Sequence, residues 1–559
     1  MSESTGDLIS RIYANFRGCD FRGEEINLVR SPDCLNVWRD YRKTESIETR
    51  PAMELKTGFS EPIYGIFFYK NMMIVHSGVN LYKVVNGTKT SLYTGLNAVK
   101  SDSFTYENVW YFKDGKNYLQ YDGTTIKPVV GYVPTTSIGR KPEGGGTVYE
   151  DVNFLTGQRI NTFLADGKSV DFYLDAKSID SNFAPIVKVN DAKVTNYTVD
   201  YTAGKISFKT APSEPKTDGQ DNVSVEFRKT IVGYPDRILG CTLLQVFDNR
   251  VFVSGNKDYP NTVWHCSLND PTYFSDLDYY REGLDEAQVK GMVAGNNALW
   301  VFREPSQANT TVFYHTPTID SEYGKIYPSQ HASITTGCIG RAINFNDDII
   351  FFSDRGMEGI SGDITTEQAV AHRSSLVDRK LIAEADYSGM VLEEWEGYLM
   401  VFIGNKVFLA DSRSVFTNEN HIEYEWFYWV LDKKVTCANV YDGVLYLGTS
   451  DGVYTLTDTT KDVESYWVTP KDKFKSPHKL KTTNKRGCVV EAEGDISVYA
   501  KVEDTDFEQI GSYENVTDYF TCRIKRKKWK DIQLKFYSKT RFRLETATLE
   551  AFIGGYIKR

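Results

Sequence analysis

The chain has 559 residues, of which 41% are hydrophobic and 25% are charged, so it can bury a core and is not a disordered protein. Its net charge of −10 disfavours a protein that wraps DNA, because phosphate contacts need Lys and Arg. No apolar run approaches the roughly 18 residues of a transmembrane helix. The N-terminus also lacks the basic and apolar regions of a classical signal peptide.

The first 60 residues form an N-terminal arm that does not share the pattern of the following chain. Ser31, Pro32 and Asp33 have the pattern of an N-cap followed by Pro in the first helical turn, which predicts a short helix ending at Tyr41. Residues 47–55 are predicted to be extended.

A hairpin pattern then recurs along the chain. Each copy has an aromatic or β-branched run, a turn rich in Gly, Asn or Asp, and a second such run. The copies lie at 72–84, 108–121, 250–266, 298–314, 348–361, 398–411 and 444–457. From residue 250 the copies begin 48, 50, 50 and 46 residues apart, and a period of about 40–50 residues is typical of β-propeller blades.

These hairpins predict an all-β fold, a β-propeller of six to eight blades with seven favoured, over residues 61–140 and 233–465. The open alternative is a series of β-sandwiches. The hairpins that begin at 108 and 250 are too far apart for one period. The additional residues between these two hairpins follow a Gly- and Pro-rich linker and alternate between apolar and polar side chains. This pattern predicts an inserted β-sandwich domain at 141–232.

The chain from 466 to 559 is predicted to be a C-terminal β-domain. Residues 470–559 carry 20 Lys and Arg against 13 Asp and Glu, so this part has a charge of +7 and the rest of the chain −17. One run there, 523–530, is strongly basic. Its candidate basic patch surrounds Trp529 and consists of Arg523, Lys525, Arg526, Lys527, Lys528 and Lys530. It can hold nucleic acid or an acidic partner, and the alternative is a solvated edge strand guarded by Lys.

The sequence contains no recognisable catalytic or metal-binding motif. The eight cysteines are scattered without a CxxC pair and the seven histidines are dispersed, which favours buried reduced thiols over a metal site. The segment 359–363 lacks the spacing of a nucleophile elbow. We therefore expect a protein that is not an enzyme and has no cofactor.

Three stretches resemble a known family. Residues 31–54, SPDCLNVWRDYRKTESIETRPAME, resemble the opening of tail proteins of short-tailed bacteriophages, with Val37 and Ala52 where Met and Gly are usual. Residues 197–212 are similar to small β-domains of phage tails, and 548–559 resemble the closing strand of such proteins. The family is that of the tail nozzle, also called packaged-DNA stabilisation or head-completion proteins.

The resemblance implies a structural virion protein, assembled in the host bacterial cytoplasm. Such proteins form a homohexameric ring that contacts the portal and adaptor, continues the DNA channel, retains the packaged genome, allows its ejection, and carries tail fibres or spikes. DNA is then expected to pass without sequence-specific binding, and no membrane insertion is expected. The alternative function is a secreted or surface β-propeller that binds or hydrolyses carbohydrate.

The N-terminal arm contains the candidate assembly contacts of such a ring. These are Trp38, Arg39, Tyr41 and Arg50, residue types that are enriched at interface hot spots. The alternative is that the arm contributes a strand that closes the propeller like a clasp.

Overall fold

The computed structural model describes residues 7–42, 45–306, 310–321, 324–332, 334–360, 369–384, 386–418, 421–458, 461–525 and 528–556. Regular structure in these ranges is almost entirely β-strand. The helices found there, Tyr234–Leu239 and Asp378–Leu381, are short. The chain divides into two compact units, the first formed by Met1–Ser91 with Ala332–Arg559 and the second by Leu92–His331.

The described residues form seven four-stranded sheets that follow the predicted repeat, and the fold class is that of a β-propeller, as predicted. We name these sheets blades 1 to 7 in chain order. Blade 1 consists of Ile63–Tyr69, Met72–Ser77, Asn80–Val85 and Thr88–Thr94; blade 2 of Asp102–Tyr106, Val109–Lys113, Tyr118–Tyr121 and Ile126–Pro128; blade 3 of Leu243–Phe247, Arg250–Ser254, Thr262–His265 and Tyr279–Arg281. Blade 4 consists of Val289–Gly295, Ala298–Arg303, Val312–His315 and Ser329–His331, with a hairpin of Thr318–Asp320 and Gly324–Ile326 before its last strand.

Blades 5, 6 and 7 belong to the first unit. Blade 5 consists of Ala342–Phe345, Asp348–Ser353, Gly356–Ile360 and Val370–His372; blade 6 of Val391–Trp395, Tyr398–Ile403, Lys406–Asn418 and His421–Val430; blade 7 of Cys437–Tyr441, Val444–Gly448, Gly452–Thr457 and Ala52–Gly58. The last strand of blade 7 therefore comes from the N-terminal arm. Its register with the preceding strand places Met53 opposite Leu456, which is the pairing that the clasp alternative requires.

Each blade joins its first and second strands with the same kind of turn. Two residues with positive φ form it in every blade, which is the geometry of a type I′ turn. The pairs are Lys70–Asn71, Glu107–Asn108, Asp248–Asn249, Asn296–Asn297, Asn346–Asp347, Glu396–Gly397 and Asp442–Gly443. Asn, Asp and Gly tolerate this conformation best. The predicted hairpins correspond to the second and third strands, so this turn is a second local signal of the same repeat.

The predicted sandwich lies in the second unit. Its larger sheet contains Thr135–Arg140, Thr147–Val148, Gln158–Phe163, Ile186–Val189, Ala192–Val194 and Val223–Arg228, and its smaller sheet contains Asp171–Tyr173, Tyr197–Asp200 and Lys205–Phe208. Alternate residues of both sheets form a separate apolar core, which includes Phe163, Phe172, Val187, Ile206 and Phe227. The larger sheet begins at Thr135, before the predicted boundary at 141.

The N-terminal arm and the C-terminal domain form one ten-stranded sheet, which we call the terminal sheet. Its strands are Leu8–Tyr13, Cys34–Leu35, Val37–Trp38, Ile47–Thr49, Ser465–Val468, Lys479–Val502, Glu508–Val516, Tyr519–Cys522, Ile532–Ser538 and Phe542–Tyr556. Leu8–Tyr13 pairs along its whole length with the last of these strands. The two ends of the described chain are thus hydrogen-bonded to each other.

The predicted helix from Ser31 to Tyr41 is wrong. The chain there forms the short strands Arg30–Ser31, Cys34–Leu35 and Val37–Trp38. The Ser31 hydroxyl donates to the backbone carbonyl of Val468 at 2.7 Å and does not cap a helix. A partner 437 residues away therefore overrides the local helix-start pattern.

Candidate functional site

Trp38, predicted as an assembly contact, lies in the core of the first unit. Its side chain is 2% exposed. It stacks on Trp395 with ring centroids 5.5 Å apart and meets Trp429 edge-on at 5.7 Å. A residue without accessible surface has nothing to present to another subunit, so this part of the prediction is wrong for the described conformation.

Arg50 is also buried, and its guanidinium holds three parts of the chain together. Nε donates to Oδ1 of Asn36 at 2.9 Å, Nη1 to the Pro51 carbonyl at 2.8 Å, and Nη2 to the Val430 carbonyl at 2.9 Å. Burial lowers the pKa of Arg50 to about 10. Its contacts lie within the chain, and its prediction as an assembly contact is corrected in the same way.

Arg39 and Tyr41 are only partly buried. Arg39 lies 3.4 Å from the exposed carboxylate of Glu45, and its guanidinium lies over the Tyr41 ring at 4.9 Å. The Tyr41 hydroxyl donates to Asp411, while Arg413 covers the same ring at 3.6 Å. Of the four predicted assembly contacts, these two keep accessible surface.

An open polar cavity of about 410 Å³ lies beside Arg39. It is lined by Asn15, Arg17, Asn27, Val29, Arg30, Arg39, Glu45 and Glu425. Arg30 is already held by Glu425 through two hydrogen bonds of 2.8 and 2.7 Å and lies over Phe416. The paired carboxylates offset most of the positive charge, so we assign this cavity no ligand.

The basic run of the C-terminal domain is anchored by its tryptophan. Trp529 is fully buried and packs edge-on against Phe474 at 5.2 Å. Its backbone exchanges two hydrogen bonds with Lys481, of 2.8 and 3.0 Å, and its Nε1 donates to Thr483 at 3.0 Å. Trp529 therefore holds the loop in place and offers no ring for a nucleic-acid base.

The cations of the run point to solvent. Arg523, Lys525, Lys528 and Lys530 are exposed, and the described residues give these four side chains no carboxylate partner. Arg526 and Lys527 of the predicted patch lie outside the described residues. The four described members lie in the loop between Tyr519–Cys522 and Ile532–Ser538 and not within a strand. The described part of the run is thus a loop, which corrects the edge-strand alternative.

Two further cations adjoin this loop, and the sequence pattern did not reveal them. Lys485 and Arg486 are exposed and lie at an irregularity of the long strand Lys479–Val502, just before Gly487. Gly487 has φ of +73°, and a Cβ there would lie 1.9 Å from the Cys522 carbonyl oxygen. The glycine thus lets the two segments touch. We call Lys485, Arg486, Arg523, Lys525, Lys528 and Lys530 together the basic surface.

His372 in blade 5 lies between two carboxylates. Its Nε2 lies 2.6 Å from Asp378 and its Nδ1 lies 3.3 Å from Glu358. Burial alone lowers the pKa of His372, but the hydrogen bonds to Asp378 and Glu358 outweigh it and raise the pKa to about 10. A histidine that stays protonated at neutral pH is an ion-pair partner and not a general base.

The described residues contain no group of three or more His, Cys, Asp or Glu placed to hold a metal ion. All eight cysteines are buried thiols, as expected, and burial raises the pKa of Cys241 and Cys266 to about 12. Within the described part of the chain, no helix has the length and hydropathy needed to cross a membrane.

The comparison with known proteins adds similarity of fold only. No known protein family matches the chain, and no curated protein sequence matches it. Among solved structures, BamB from Moraxella catarrhalis is similar over 81% of this chain and 96% of its own, with 9% identity and a TM-score of 0.33. YCF48 bound to D1 peptide is similar over 74% and 98%, with 6% identity and a TM-score of 0.31. The computationally designed Ika8 protein is similar over 73% and 99%, with 12% identity and a TM-score of 0.32. BamB and YCF48 are β-propellers.

Proposed function

We propose that the protein is a structural component of the tail of a short-tailed bacteriophage, a nozzle subunit that forms a homohexameric ring. The proposal starts from the resemblance of residues 31–54, 197–212 and 548–559. In this function the ring continues the DNA channel, retains the packaged genome until ejection, and docks fibres or spikes. Its neighbours are the portal and adaptor, and its place is the virion.

The observation that carries the proposal is where these stretches lie. Part of the first stretch, residues 31–49, and the described part of 548–559 contribute strands to the same terminal sheet. Ile47 pairs with Leu544, which precedes residue 548 on the strand Phe542–Tyr556. Stretches that resemble one family and lie far apart in the chain thus belong to one folded element, as expected if they were inherited together.

The third stretch forms a hairpin in the inserted sandwich. Tyr197–Asp200 pairs with Lys205–Phe208, and the Tyr197 hydroxyl donates to the Pro185 carbonyl at 2.6 Å. The sandwich has a core of its own, so it can project from the blades as a separate module. Such a module suits the docking of fibres or spikes.

The charge distribution also supports a DNA conduit. The chain outside residues 470–559 carries −17. A wall of that sign repels phosphate and lets DNA slide without adhering. The negative charge belongs to the bulk of the chain and marks no specific DNA contact.

Negative-stain electron microscopy and mass photometry of the purified chain test the proposal. We expect rings with sixfold symmetry, and in the parent particle the ring should lie below the portal. A chain that stays monomeric at micromolar concentration and is absent from purified virions would contradict the proposal. A monomer that binds ligands on a glycan array would instead favour the carbohydrate-binding alternative.

A further inference from the structure

We propose that the basic surface binds the phosphate backbone of double-stranded nucleic acid. The proposed function assigns no DNA-binding residues, and this inference does not rest on it. The inference rests on the placement of six exposed cations on two neighbouring segments of the C-terminal domain.

The two segments are held side by side at both ends. Cys488 lies opposite Cys522 in adjacent strands, and Lys481 forms an isolated bridge with Trp529. The described loop residues 523–525 and 528 therefore lie between these two anchors. The register with Phe542–Tyr556 places Lys481 opposite Ile553 and Cys488 opposite Leu549, four residues further along that strand, so the two anchors lie about 13 Å apart at roughly 3.3 Å per residue. The cations thus line a strip of that length.

One end of the strip, at Lys530, is held in place by a buried lysine. The Lys481 ammonium is buried and donates to the carbonyls of Ser476 at 2.6 Å and Lys530 at 2.7 Å. With the burial of Trp529, these bonds fix the end of the loop before any ligand arrives. Fixing this end in advance reduces the entropy lost on binding.

Among the described residues, no carboxylate forms an ion pair with the six cations of the basic surface. Glu503 accepts the backbone N–H of Lys530 at 3.1 Å, and Glu550 accepts the amide of Asn484 at 2.6 Å. Glu508 lines a small cavity together with Lys525, without an ion pair between them. Elsewhere in the same sheet basic side chains do pair with acids. Arg543, for example, lies 2.7 Å from Glu493 and 2.6 Å from Glu545.

Duplex backbone fits this strip better than single-stranded nucleic acid or an acidic protein. A duplex presents one phosphate per roughly 1.7 Å of its axis, so a strip of about 13 Å meets several phosphates. Single-strand binders add aromatic rings that stack on bases, and the tryptophan of this run is buried. Arg486 and Arg523 have the planar fork that binds phosphate through two hydrogen bonds.

Fluorescence anisotropy with a labelled 30-base-pair duplex of mixed sequence tests the inference. Binding should show no sequence preference and should weaken steeply between 50 and 200 mM salt. If four to six cations contact phosphates, the slope of log K against log salt is about −3.6 to −5.4, from roughly 0.9 per contact.

The decisive variant replaces Lys485, Arg486, Arg523 and Lys525 with Gln. We expect at least a tenfold weaker Kd at 50 mM salt and a slope closer to zero by about 3.6. The matched control replaces Lys127, Lys188, Lys193 and Lys209 with Gln, since these lysines are exposed in the second unit and their removal changes the net charge equally. The control should bind as the unchanged chain does, and so should a variant with Lys485→Arg and Lys525→Arg.

Melting curves show whether each variant is folded, and the pair Lys485→Gln and Arg486→Gln alone provides a milder change if the fourfold variant is not. Absence of binding at 50 mM salt, or equal loss in the control, overturns the inference. Tighter binding of a 30-nucleotide oligothymidine overturns the duplex assignment. Equal competition by poly-L-glutamate at the same charge concentration would assign the surface to an acidic protein instead.

Discussion

Replacing Trp38 with Ala separates a core residue from an assembly contact. The side chain is 2% exposed and touches Trp395, Trp429 and Tyr398 with ring centroids 5.5 to 5.8 Å away. Truncation of a buried Trp to Ala costs about 3–5 kcal/mol. Aromatic pairs add about 0.5–1.5 kcal/mol each beyond their buried area. The three ring contacts of Trp38 therefore place the expected loss near the upper end of the range of about 3–5 kcal/mol.

A loss of that size is a large part of the roughly 5–15 kcal/mol that stabilises a folded protein. We expect Trp38→Ala to lower the guanidinium midpoint of the first unit clearly, as followed by far-ultraviolet circular dichroism. Trp38→Phe should keep much of the packing and lose less. Arg39→Ala is the neighbouring control with a smaller expected loss, because the ion pair of Arg39 with the exposed Glu45 is worth about 1 kcal/mol or less.

The opposite pattern would refute the reasoning. If Trp38→Ala changed the free energy of unfolding by less than about 1 kcal/mol while the variant failed to form rings, Trp38 would be a contact between subunits. The core position described above would then not hold in the assembled protein.

Deleting residues 1–46 should abolish cooperative unfolding of the first unit, because it removes three strands of the terminal sheet, Leu8–Tyr13, Cys34–Leu35 and Val37–Trp38. A stable, folded truncated chain that no longer enters virions would restore the anchor interpretation. Replacing 158–228 with a short Gly/Ser linker should leave the blades folded, since the Lys229 amide donates to the Gly157 carbonyl at 2.8 Å and the cut ends are adjacent. Replacing 147–230 also removes the buried residues Asn153 and Phe154, so this variant should melt at a lower temperature than the 158–228 variant. Equal melting temperatures of the two variants would contradict the assignment of these residues to the blade core. His372 has a pKa of about 10, above the roughly 6.5 of an unfolded histidine, so its stabilisation is complete below pH 6.5 and is lost as the pH rises through 10. The difference in unfolding free energy between the unchanged chain and His372→Gln should therefore shrink over that pH range, and a constant difference would argue against the ion pairs.

The strands and the repeat were predictable because their signals are local. Alternation with a period of two and turns rich in Gly, Asn and Asp depend on neighbours a few residues apart. The type I′ pairs, such as Asp442 and Gly443, mark each blade in the same local way. The sandwich and the C-terminal strands were visible for the same reason, and so was the excess of positive charge after residue 470.

The tertiary structure alone decided which segments meet. Ser31 and Pro32 have a helix-start pattern, yet Ser31 bonds Val468, 437 residues away, and the segment is extended. Trp38 and Arg50 have the composition of an interface, but long-range pairing of the chain ends places both in the interior. Lys485 and Arg486 look unrelated to the run at 523–530 until strand register brings them together. Burial and register between distant strands depend on contacts that no local window contains, which is why local patterns predicted most strands of this protein but not the surfaces that the strands build.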